Sequence, residues 1–169
     1  MIADQLVSTD RTLPALIPAP VNGTQFLRLT AAGFSTSTFD ATDVGWDNPT
    51  LTVDVGSGGY LYNPSSSAQV FTFVGDVAQG TLTSPVTTAP YLFYSSRVPQ
   101  AGLLQTDLGF VPADGDLIFK LSPLGAPQSY SFDAADGWSP GEPSLAVGEA
   151  FMLKPHLPHT PWVRVFNVN

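Results

Sequence analysis

The sequence predicts an all-β protein of two similar antiparallel β-units, each sandwich- or barrel-like, with little or no helix. Three observations carry that expectation. Gly and Pro are abundant, at 15 and 16 of 169 residues, while charged residues are only 12%, a balance that favours short strands and many turns over long helices. Apolar residues alternate with polar ones over short runs, the period of a strand with one buried face. A long stretch also occurs twice: residues 45–62, GWDNPTLTVDVGSGGYLY, and residues 137–154, GWSPGEPSLAVGEAFMLK. Both begin Gly-Trp, pass a Pro-containing turn to a Leu-x-Val strand, break at Gly56 or Gly148 and resume as an apolar strand. Their spacing of 92 residues is domain-sized and far longer than a solenoid repeat. The expected arrangement is a tandem duplication, residues 1–78 forming the first unit and residues 79–169 the second.

Along the chain, residues 1–24 align with residues 92–116, Met1 opposite Leu92 and Val7 opposite Val98. The second copy has a strand's worth of sequence before that point, GTLTSPVTTAPY, and the first copy has no counterpart for it. Either the natural chain carries a strand before Met1, with an export signal ahead of it, or the first copy is short by one strand. In the second case a neighbouring strand has an open edge that another chain can fill. Next come two hairpins, opened by Asn22-Gly23 and Asp114-Gly115, turns in which Gly supplies positive φ without strain. Residues 69–74 and 162–166 supply the closing strands, and residues 81–86 between the halves also read as a strand. The alternation assigns Leu27, Leu29, Leu51, Val53, Leu61, Phe71 and Phe73 to the first core, and Phe119, Leu121, Leu145, Val147, Leu153, Val163 and Val165 to the second. Burying such side chains contributes about 1.5–3 kcal/mol each.

Several function classes are disfavoured. The six Lys and Arg residues are scattered against 14 acids, giving a net charge of −8 and no basic stripe for nucleic acid or an anionic membrane. No apolar run approaches the ~20 residues of a membrane helix, so no membrane insertion by helix is expected. With no cysteine there are neither disulfides nor thiolate chemistry. No Gly-x-Ser-x-Gly elbow is present, and the Gly-rich run at 55–60 lacks the Lys-Ser/Thr of a phosphate loop. Neither catalytic residues, cofactor-binding residues nor metal ligands are assigned, and the chain is expected not to be an enzyme.

The remaining candidates each have a blander reading. His156 and His159 have a metal-like spacing, but three prolines in PHLPHTP exclude the helix that would align them, so a polar surface loop is expected. Asp40 with Asp43, and Asp133 with Asp136, could bind calcium or serve as an acid and base, but Asp also caps turns through its own backbone. Trp46, Trp138, Tyr60 and Tyr62 are the candidate glycan-stacking residues, with structural packing as their other reading. Asn22 opens an Asn-Gly-Thr sequon, a candidate glycosylation site or simply a turn.

The strings FVGDVAQGTLTSPV, RVPQAGLLQTDLGF, DGDLIFKL, DGWSPGEPSLAVGEAFMLK and WVRVFNVN, with VNGTQFLRLT and GYLYNPSSSAQVFTFVGDV in the first half, resemble a group of exported, uncharacterised, internally duplicated β-rich proteins of environmental bacteria. The resemblance implies secretion or display at the cell surface and brings no activity with it. The expected function is that of a non-catalytic extracellular structural protein, a self-assembling subunit of a surface layer, matrix or filament, whose partner is another copy joined head to tail. The alternative is a secreted carbohydrate-binding module with a glycan ligand.

Overall fold

The structure, a computed structural model, describes residues 1–168 apart from 31, 44, 88, 90, 123 and 124. Its regular secondary structure is almost entirely antiparallel strand. The first half holds a short helix α1 (Leu13–Leu16) and strands β1 (Gln25–Thr30), β2 (Gly33–Asp40), β3 (Gly45–Trp46) and β4 (Tyr60–Tyr62). The rest comprises β5 (Gly80–Ser84), β6 (Leu92–Tyr94), β7 (Gly102–Leu103), β8 (Leu117–Leu121), β9 (Pro127–Asp133), β10 (Gly137–Ser139), β11 (Ser144–Leu145), β12 (Phe151–Lys154) and β13 (Trp162–Phe166).

The two main sheets share a strand order. The first runs β3-β2-β1-β4 and the second β10-β9-β8-β12, with β6 added beyond β12. In each, a hairpin (β1–β2 or β8–β9) is flanked by the short Gly-Trp strand on one side and the apolar closing strand on the other. The hairpins are opened alike. Gly23 and Gly115, at φ of 82° and 85°, donate their N–H groups to the carbonyls of Phe39 and Phe132. Asn22 Oδ1 then accepts from Ala41 N–H at 2.9 Å, and Asp114 Oδ1 from Ala134 N–H at 3.0 Å. An oxygen two bonds beyond Cβ is what the turn needs, and either residue supplies it.

Apolar burial falls into three clusters. Leu13, Leu16, Ile17, Phe26, Trp46, Leu51 and Val53 fill the first half. Tyr94, Leu104, Leu108, Phe110, Ile118, Leu145, Phe151, Leu153 and Trp162 fill the second. Ala3, Phe93 and Ala150 join them, with Leu29, Tyr60 and Met152 packed around. At this junction Ile2 bridges to Gly59, Ala3 N–H donates to the Gly148 carbonyl at 2.8 Å, and the Tyr60 and Phe93 rings meet edge to face at 4.9 Å. Gly58 and Gly59 permit that approach. A Cβ on Gly58 would lie 2.5 Å from both the Ile2 carbonyl oxygen and Ala150 Cβ, and one on Gly59 would lie 2.6 Å from the Leu27 carbonyl oxygen. The run at 55–60 is therefore a point of close backbone contact.

The expected cores need correction in phase. In β1 the buried residue is Phe26, and in β8 they are Ile118 and Lys120, while Leu27, Leu29, Phe119 and Leu121 are only half-buried. Val147 is exposed in the turn after β11, and Val163 and Val165 are exposed because Trp162, Arg164 and Phe166 take the inward positions of β13. Alternation fixes which residues share a face and leaves open which face is inside, and these strands carry apolar side chains on both. Lys120 can lie inward because Glu149 sits 3.1 Å from its ammonium and the Ser144 carbonyl accepts from it. Leu51, Val53, Leu145 and Leu153 are buried as expected.

Candidate functional site

The two halves differ at their ends: residues 162–166 form the expected strand β13, whereas residues 69–74, also expected as a strand, form none. In the second half β13 pairs antiparallel along its length with β5, from Trp162↔Ser84 to Phe166↔Gly80. Its counterpart in the first half, residues 69–74, alternates in the same way: Phe71 and Phe73 turn toward the core, and Val70 and Val74 are 89% and 79% exposed. A spacing of 91 residues sets Phe71 against Trp162, which brings the inward positions into register. Yet among the described residues no strand pairs with residues 69–74 and no backbone hydrogen bond engages residues 70–75, the next bonds being those between Asp76 and Val7. Residues 70–74 thus have strand-like alternation and unused donors and acceptors.

Beside this edge lies a groove of about 440 Å³. One wall is Phe71, Thr72 and Phe73, the other residues 2–6, with Pro99, Val147 and Gly148 completing it. Two of its residues are buried polar groups with unsatisfied capacity. Asp4 is 2% exposed and Gln5 3%. Asp4 Oδ1 accepts from Leu6 N–H at 3.0 Å and Gln5 Oε1 from Gly148 N–H at 2.9 Å, but Asp4 Oδ2 and Gln5 Nε2 have no hydrogen-bond partner among the described residues. Burial pushes the Asp4 carboxyl above its ordinary range, against the opposing pull of the Leu6 N–H and of Arg11. An unpartnered acceptor and an unpartnered donor, both buried, on adjacent residues are costly to keep. No motif marks Asp4-Gln5, and the pair becomes visible only when the groove is formed.

The aromatic candidates do not make one platform. Trp46 is 1% exposed and its Nε1–H donates to the Ile17 carbonyl at 2.9 Å, so it is a core residue and offers no stacking face. Trp138 is half-buried and donates to Gln105 Oε1 instead. The bond equivalent to that of Trp46 is made by Trp162, to the Leu108 carbonyl at 2.8 Å, Leu108 lying 91 residues after Ile17. Sequence matches Trp46 with Trp138, but hydrogen bonding matches it with Trp162. Tyr60 packs against Phe93, and Tyr62 is 54% exposed with no described ring contact to either tryptophan.

One acid of each pair acts within its turn. Asp40 Oδ1 accepts from the N–H and hydroxyl of Thr42, bonds that hold its carboxyl below the usual range. Asp133 Oδ1 accepts from the N–H groups of Ala135 and Asp136. Asn22 is exposed, its side-chain oxygen used by Ala41, while Thr24 of the sequon is fully buried.

His159 departs from the surface-loop expectation. Its side chain is 1% exposed, packed on Phe110 at 5.4 Å, with Nε2 2.9 Å from Asp116 Oδ2 and Nδ1 2.6 Å from the Thr160 carbonyl. Asp116, fully buried, also accepts from the N–H groups of Ala113 and His156 at 2.8 Å each. Both ring nitrogens are engaged within the protein. In the first half the related position is Thr24, and Gln69 does the tying: its Oε1 accepts from Val21 N–H at 2.9 Å. Each arrangement clamps a hairpin to the loop ahead of its last strand. No family model, curated protein or solved structure matches the chain.

Proposed function

We propose that this protein is a non-catalytic extracellular structural subunit that assembles with copies of itself into a surface layer, matrix or filament. One observation carries the reading: residues 69–74 have the burial pattern of a strand without a partner, while the matching strand β13 is fully paired by β5. A sheet edge of this kind is a template for another chain, and soluble proteins ordinarily blunt such edges with charge, Pro or a bulge. Residues 68–75 read AQVFTFVG, with neither charge nor Pro. The internal use of some candidate polar groups supports the same reading: Asp40 and Asp133 hold turns, and His159 holds a loop.

The test is negative-stain electron microscopy of the secreted protein at increasing concentration, beside a Thr72→Lys variant. Ordered filaments or sheets from the unmodified protein, absent from the variant, are expected. Dispersed single particles at every concentration would overturn the proposal.

A further inference from the structure

We propose that Asn22 is a site of spontaneous deamidation: the folded turn slows the reaction, and the fold accepts its aspartyl product without rearrangement. Asn22-Gly23 is the chain's one Asn-Gly step. Asn48 and Asn63 precede proline, which has no N–H to react, and Asn167 precedes the branched Val168. The reaction joins the Gly23 main-chain nitrogen, as its proton leaves, to Asn22 Cγ. The bond from Cγ to Nδ2 breaks and ammonia departs, which leaves a succinimide ring. Water then opens the ring. Entry at Cγ gives an aspartyl residue, and entry at the main-chain carbonyl gives isoaspartyl, in which the backbone runs through Cγ. Glycine presents its nitrogen with no side chain beside it, and Asn22 is exposed.

The fold governs both the rate and the outcome. Gly23 N–H donates to the Phe39 carbonyl at 2.8 Å, and Asn22 Oδ1 accepts from Ala41 N–H at 2.9 Å. Nucleophile and carboxamide are each tied to the end of β2, so ring closure requires the mouth of the hairpin to open first. The second half displays the product already in place. At the matching position Asp114 is exposed, Gly115 N–H donates to the Phe132 carbonyl at 2.9 Å, and Asp114 Oδ1 accepts from Ala134 N–H at 3.0 Å. The oxygen that Ala41 engages survives the reaction, while the departing nitrogen makes no hydrogen bond among the described residues. A carboxylate is also the stronger acceptor for a backbone N–H. The added charge meets an arrangement that the other half tolerates, since Asp40 holds the turn after β2 as Asp133 holds the turn after β9. Isoaspartyl instead lengthens the backbone at this point and moves the carboxyl away from the Ala41 N–H.

Arg11 and Arg28 let trypsin release residues 12–28, so peptide mass spectrometry reads position 22 directly. The unmodified protein is aged in warm, mildly alkaline buffer, both folded and in concentrated urea, and the aspartyl and isoaspartyl peptides are separated by chromatography. The expected result is conversion at Asn22 in urea, and conversion at least about tenfold slower in the folded protein. Asn22→Asp is expected to keep the urea midpoint of the unmodified protein, and Asn22→Ala to fall below it. The isoaspartyl fraction of aged protein should unfold at lower urea than the aspartyl fraction. No conversion at Asn22 in urea overturns the site, and equal rates with and without urea overturn its control by the turn. A midpoint for Asn22→Asp as low as that of Asn22→Ala overturns the acceptance of the product.

Discussion

At the scale of single residues, burial separates side chains that look equivalent in sequence. Trp46 and Trp138 both follow a glycine and open matching strands, but only Trp46 is enclosed and bonded to a core carbonyl. Trp46→Ala is therefore expected to cost about 3–5 kcal/mol, the range for removing a buried aromatic ring. Trp138→Ala should cost well under half as much, since its ring is half-buried and its N–H bond lies at the surface. Urea denaturation of the two variants measures the difference. Asp4 gives a prediction in pH. With its folded carboxyl raised by burial, the folded state binds the proton more tightly than the unfolded chain. Asp4 accordingly lowers stability as pH rises from the ordinary carboxylate value through the raised one. Asp4→Asn is expected to be more stable than the unmodified protein at neutral pH, with the advantage vanishing below about pH 3, where Asp4 is neutral in both states. Thermal midpoints from pH 3 to 7 check this, and a variant less stable at neutral pH would contradict it.

At the scale of elements, the hairpins were legible because Asn-Gly and Asp-Gly prescribe their turns, and the strands because their alternation is regular. The inward face was not legible for β1, β8 and β13. Phe26 competes with Leu27 and Leu29 for the interior, and nothing local announces that Lys120 will find Glu149 or that Arg164 will lie inward. The His159–Asp116 pair and the orphan atoms of Asp4 and Gln5 escaped for a related reason: their partners or surroundings lie 43 or more residues away, or arise only from the groove. The close contact at Gly58 gives a prediction at this scale. Gly58→Ala forces a methyl onto the Ile2 carbonyl and Ala150, so a loss of about 1–3 kcal/mol is expected from overcrowding. Denaturation midpoints of this variant beside Gly141→Ala, where a Cβ meets nothing within 4 Å, isolate the effect.

At the scale of the whole molecule, the shared strand order makes its exception informative. Both halves build hairpin, Gly-Trp strand and closing strand in the same sequence, yet β13 has a partner and residues 69–74 have none. The central claim is that this edge drives association. The most direct measurement is sedimentation velocity of the unmodified protein and of Thr72→Lys over a wide concentration range, with thermal midpoints confirming that both are folded. The account predicts a mass that rises with concentration for the unmodified protein and stays monomeric for Thr72→Lys at unchanged stability. A monomer throughout, or equal association of the two proteins, would contradict it.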